Sequence, residues 1–218
     1  TILRTRTYLR FSKMAAYVII PAGEIGNSQI NASAGIERAK LATESKKLNI
    51  PLENLRVHDA VATSLPTTAA SDDLGLIAGT FGTDAVVVQT SDGKATSITQ
   101  RARFAYRIPD NYVAGDPISI AAHAGMKTTV SDTTATIDFE VYKKDDATGL
   151  VGSDLCTTSA STINSLTAAA KEFTVTPTGI VNGDELDIRV TIAITDGATA
   201  TAVIGRIMKL YALVSVKG

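Results

Sequence analysis

The sequence predicts an all-β protein: a jelly-roll-type β-sandwich over residues 53–218, led by an extended N-terminal arm with one short helix over residues 1–52. Three observations carry this. Short β-prone runs at 85–90, 101–108, 117–123, 134–142, 171–176, 184–194 and 207–216 are separated by turn chemistry such as Asp92-Gly93, Asn182-Gly183 and Asp196-Gly197. Several runs keep strict period two, so one face is apolar and the other polar. One strand–corner–strand plan occurs twice, in RFAYRIPDNYVAGDPISI and EFTVTPTGIVNGDELDIRV.

The arm differs in texture from the rest. Arg4, Arg6, Arg10 and Lys13 come before any acid, the first being Glu24. Alternation through Thr5–Phe11 and the run Tyr17-Val18-Ile19-Ile20 suggest extended segments, the second ended by Pro21. The basic-then-apolar order faintly mimics a signal peptide. It is read instead as a structured arm, with Thr1 the residue that removal of an initiator Met would leave. Asn31 or Ser33 could cap a short helix over 36–42, with Lys46 and Lys47 near its C-terminal end. After Pro51, alternation over 52–58 predicts the first sandwich strand.

Within the sandwich, Ile137, Phe139 and Val141 face one way while Asp138 and Glu140 face water. Ile188, Val190, Ile192 and Ile194 likewise share a buried side. A short helical turn is expected within 160–170. In the repeated plan, Phe104, Pro109, Gly115-Asp116 and Ile118 correspond to Phe173, Pro177, Gly183-Asp184 and Leu186. Pro ends one strand because it cannot donate to the ladder. Two such corners suit the two Greek-key halves of a jelly roll.

Composition narrows the function classes. A net charge of -1 offers no global basic field, so nucleic acid is not an expected partner. The single Cys156 rules out an intrachain disulfide framework and reads as a small buried hydrophobe. No run approaches the ~20 apolar residues of a membrane-spanning helix.

The motifs of chemistry are mostly missing. His58 and His123 are the only two histidines, both in predicted strands, and both read as structural imidazoles. Nothing has zinc-ligand spacing, and neither a nucleophile elbow nor a phosphate-binding glycine loop occurs. Asp72-Asp73, Asp145-Asp146 and Asp184-Glu185-Asp187 lie in or beside loops, where Ca²⁺ ligands often arise. They read first as solvated turn acids. No catalytic residue, cofactor or metal site is therefore assigned.

IPLENLRVHDA (50–60), DDLGLIAGTFGTDA (72–85), the IPDNYVAGD corner (108–116) and EFTVTPTGIVNGD (172–184) give this Thr/Ala-rich, Trp-free chain its resemblance. It resembles the virion structural proteins of tailed bacteriophages, above all capsid decoration (cement) proteins. The resemblance implies a non-enzymatic protein of the capsid surface, made in the host cytoplasm. It also implies a homotrimer bound to a major capsid protein, with Arg4, Arg6, Arg10 and Lys13 as arm contacts. Two rival expectations stand beside it. One is an extracellular filament subunit or adhesin assembled by strand complementation. The other is a carbohydrate-binding module or carbohydrate-active enzyme, which the lack of Trp disfavours.

Overall fold

A computed structural model of the chain describes residues 41–128, 133–145, 149–197 and 202–217. Its regular structure is β1 (Thr43–Ile50), a 3-10 turn (Leu52–Asn54), β2 (Gly75–Ile77), β3 (Val87–Gln89), β4 (Ser97–Arg107), β5 (Ile118–Met126), β6 (Thr133–Asp145), β7 (Gly149–Val151), β8 (Ser161–Thr162), β9 (Ala169–Val175), β10 (Glu185–Asp196) and β11 (Gly205–Lys217). One sheet, here sheet A, runs β2-β3-β11-β5-β9, with β1 also on β11; the other, sheet B, runs β4-β10-β6-β7, with β8 also on β6.

The pairings nest. β3 pairs β11, β4 pairs β10, β5 pairs β9 and β6 pairs β7, all antiparallel. Early strands meet late ones from the outside inwards, which is a long hairpin rolled over two sheets. That is the jelly-roll plan.

Alternation does the packing. Leu186, Ile188, Val190, Ile192 and Ile194 on β10 are sealed inside, as are Ile137, Phe139 and Val141 on β6. The Phe139 ring of sheet B meets the Phe173 ring of sheet A at 4.9 Å between centroids, tilted by 56°. Such an aromatic pair joins the two layers with more than its buried area. β5 departs from alternation, because its outward-facing Ser119 and Ala121 are buried too.

The repeated corners are real and closely matched. In the first, the Tyr112 amide donates to the Pro109 carbonyl and the Asp116 amide to the Val113 carbonyl, both at 3.0 Å. In the second, the Ile180 amide donates to Pro177 (3.0 Å) and the Asp184 amide to Val181 (3.2 Å), with identical offsets. Gly115 and Gly183 occupy the same place with φ of 88° and 82°, the left-handed region that favours glycine. Each corner carries the chain from one sheet to the other, β4 to β5 and β9 to β10.

Four expectations need correction. Lys46 and Lys47 lie in β1, which pairs with β11 over its full length, so they belong to a sandwich strand and not to the C-terminal end of a helix in the arm. Residues 52–58 form a 3-10 turn and two isolated bridges at Arg56, to Ser64 and to Arg103, rather than a strand. His58 accordingly lies in a bend, whereas His123 is in β5 as expected. Between 160 and 170 the chain forms β8 and the start of β9, with no helix. The expected helix over 36–42 falls almost wholly outside the described residues, and Leu41 and Ala42 are not helical.

Candidate functional site

The outward face of sheet B is a charged ladder. On β4, β10 and β6 the residues alternating with the core are Arg103 and Ala105, Asp187 and Arg189, Glu140 and Tyr142. Register puts Arg189 directly opposite both Arg103 and Glu140. Two arginines face to face would repel. Each is instead given its own acid. Arg103 Nε donates to Asp187 Oδ1 at 2.6 Å and its Nη2 to Asp187 Oδ2, a bidentate pair. Arg189 Nε donates to Glu140 Oε2 at 2.5 Å. Asp187 is only 6% exposed, and its hydrogen bond raises the Arg103 pKa above its ordinary value against the opposing cost of burial.

This ladder floors a shallow cleft. One hollow of about 320 Å³ is lined by Asn54, Arg56, Val61, Arg103, Lys144 and Asp187 among others. A second of about 190 Å³ adjoins it, sharing Arg103 and Asp187 and adding His58, Glu140, Tyr142, Leu150 and Arg189. The wall on the β4 side is the 52–64 segment, which backbone bonds fasten to β4: the Arg56 amide donates to Arg103 O (2.8 Å) and the Arg103 amide to Arg56 O (3.0 Å).

Beside the cleft, three residues converge that the sequence holds apart. His58 Nδ1 lies 3.2 Å from Asp73 Oδ1, and Nε2 lies 3.3 Å from Asp72 Oδ2. One ligand atom from each residue falls within 4.8 Å of the others, so the group could hold a metal ion. The acids sit on a tight turn with Ser71 at φ 51°. Buried Gln100 pins that turn by donating Nε2 to Ser71 O at 3.0 Å.

The remaining acid runs are structural where described. Asp184 accepts from the Val181 amide and pairs with Lys143 at 2.7 Å, while Glu185 pairs with Lys144. Asp145 ends β6, and Asp146 is outside the described residues. Cys156 is half-buried, and burial pushes its thiol up to about 11, which keeps it protonated and inert as a nucleophile. Arg4, Arg6, Arg10 and Lys13, the expected arm contacts, lie outside the described residues.

The cleft was half-visible in the sequence, because the outward positions of β6 and β10 were legible as polar. The meeting of His58 with Asp72-Asp73 was not; only a His followed fourteen residues later by an acid pair hinted at it.

No protein-family model matches the sequence, and no curated protein matches it. Among solved structures, the CBM22-1 xylan-binding domain of Paenibacillus barcinonensis Xyn10C is similar at 11% identity, covering 67% of this chain and 82% of that one, with a TM-score of 0.36. A family 16 carbohydrate-binding module is similar at 11% identity, covering 67% and 88%, with a TM-score of 0.35. A structure of infectious bursal disease virus, Gt strain, is similar at 16% identity, covering 71% of this chain and 42% of that one, with a TM-score of 0.29. These are likenesses of architecture alone. The class of protein is the one its own strand order defines, a jelly-roll β-sandwich. Among the described residues no helix is long and apolar enough to cross a membrane.

Proposed function

We propose that this chain is a non-enzymatic structural protein of a virion, a decoration or cement component that stabilises a shell through its N-terminal arm and sandwich surfaces. The observation that carries the reading is β1. This strand, through which the chain enters the sandwich, pairs with β11 over eight residues, from Thr43↔Lys217 to Ile50↔Leu210. Yet Thr43 to Lys47 are all exposed, and only Ile50 is buried. Main-chain hydrogen bonds hold such a strand far more than side-chain burial does. The same bonds are available on β11 of any copy, so the strand is suited to exchange or β-augmentation between subunits. Pro51, directly after it, has no N–H to donate to the ladder and ends the strand.

The reading extends the resemblance of residues 50–218 to phage decoration proteins. Its partners are other copies of the chain, as a homotrimer, and a major capsid protein. Many symmetric copies turn weak single contacts into firm attachment. The fully exposed Phe81, at the tip of a turn fastened by Asp84 accepting from the Thr80 amide (2.8 Å), supplies an apolar contact for such a surface.

Mass photometry and electron microscopy of the full chain test this. A closed trimer that decorates a particle supports it, and a head-to-tail filament moves the reading to a filament subunit. Deleting residues 1–20 should leave a folded sandwich that no longer attaches. A full chain that is a monomer, unaltered in behaviour by that deletion, overturns the proposal.

A second reading rests on the cleft. Its Arg–Asp and Arg–Glu pairs beside Tyr142 are the donors, acceptors and flat ring that sugar hydroxyls and faces require. A glycan array decides: binding to one sugar class, lost in Tyr142→Ala, would make carbohydrate binding the function.

A further inference from the structure

We propose that His58, Asp72 and Asp73 form a zinc site that fastens the 57–63 loop to the 70–73 turn along the edge of β4. The two ring nitrogens face different acids. Nδ1 lies 3.2 Å from Asp73 Oδ1, where an N–H donates to the carboxylate and fixes the tautomer. That leaves a lone pair on Nε2, which faces Asp72 Oδ2 at 3.3 Å. Two donors about 2.0–2.1 Å from a tetrahedral zinc stand about 3.3–3.4 Å apart. The Nε2–Oδ2 spacing is that of neighbouring ligands on one ion. Asp73 then plays the orienting carboxylate that a metal-bound histidine ordinarily has behind it.

Burial follows the same division. The side chains of His58 and Asp73 are 13% and 20% exposed, whereas that of Asp72 is 51% exposed. The inner acid orients, the outer acid ligates, and water completes the shell from the open side. An imidazole with carboxylates suits zinc, whereas Ca²⁺ and Mg²⁺ take oxygen ligands.

The donors are held before any ion arrives. The Arg101 amide donates to Asp72 O at 2.7 Å and the Leu74 amide to Arg101 O at 2.9 Å, so the acid turn is stitched to β4. The His58 loop is closed by the Val57 amide on Thr63 O (3.1 Å) and the Thr63 amide on Ala60 O (2.7 Å). The cations that line the cleft with His58, Arg103 and Arg189, are each matched by a carboxylate, Asp187 and Glu140. Tyr142 of β6 completes the charged or titratable groups on that side. Arg56, bonded through Nη1 to Ser64 Oγ, and Arg101, whose backbone bridges to Asp73, are the further cations on the segments that carry the site.

The rival occupant of the same geometry is a proton, which would make His58 an imidazolium held between both acids. Long-range ¹H–¹⁵N spectra of the full chain separate the two, because only His58 and His123 contribute. Titration with zinc chloride at pH 7.5 should shift the His58 Nε2 resonance saturably while His123 stays in place. Asp72→Asn, a half-exposed surface change, should abolish the shift. Asp73→Asn should weaken binding by about 10–100-fold, and Ca²⁺ or Mg²⁺ should move nothing. A His58 resonance indifferent to zinc overturns the site, as does one that shifts equally in Asp72→Asn or that reports a doubly protonated ring throughout.

Discussion

β10 and β1 are both long antiparallel strands, and they are held in opposite ways. β10 is flanked along its length by β4 and β6, and every second residue from Leu186 to Ile194 is sealed in the core. β1 has β11 on one edge, five successive exposed side chains, and a single cation–π contact from Lys47 to the Tyr211 ring at 3.6 Å. Side-chain burial fixes β10 to this molecule and to no other. Backbone pairing fixes β1 to an edge, and edges are alike from copy to copy. Side-chain burial is therefore concentrated in the middle of sheet B, and the association proposed above would use the rim of sheet A.

The strongest way to break that contrast is to empty the core under β10. Ile188→Ala should cost about 2–5 kcal/mol through lost transfer energy and the cavity left behind, measured by urea denaturation. A cost below about 1 kcal/mol would mean that the middle of sheet B is not where stability resides. Asp187→Ala, on the outward side of the same strand, should cost less, about 1–3 kcal/mol, because Arg103 loses its bidentate partner yet still reaches water. The smallest effects belong to β1. Glu44→Ala and Ser45→Ala should each stay within about 0.5 kcal/mol of the parent. A loss as large as that of Ile188→Ala would show β1 to be an integral core strand and would remove the case for exchange.

Much of sheet B could be read directly from the chain. β4, β6 and β10 are long and alternate, so β-prone runs located them, and period two named the buried faces of β6 and β10. The corners could be read because Pro, Gly and Asp act locally. β1 could not: TESKKLNI has no apolar alternation, and it becomes a strand because β11 supplies a ladder. Residues 52–58 failed in the other direction. The alternation of Asn54, Arg56 and His58 with Leu55 and Val57 looks extended, yet Pro51 and the Asn54 amide bonding to Pro51 O (3.1 Å) bend the start of the segment into a turn. The His58–Asp72–Asp73 meeting escaped for a related reason. Both segments dock separately on β4, and no local rule sees two loops that share a third strand.

The two matched corners also touch. The Ile108 amide donates to Asp184 O (2.8 Å), the Gly183 amide to Ile108 O (3.1 Å), and Asn182 Nδ2 to Asp110 O (2.6 Å). The first rung of the β4–β10 ladder, Arg107↔Glu185, follows at once. The clasp works like the box at the foot of a zipper, admitting the two rows of teeth in one alignment. A slip of one tooth would turn the Arg–Asp row into the oily interior and the isoleucines out to water. Segments far apart along the chain thus inherit their pairing from a few bonds at one end.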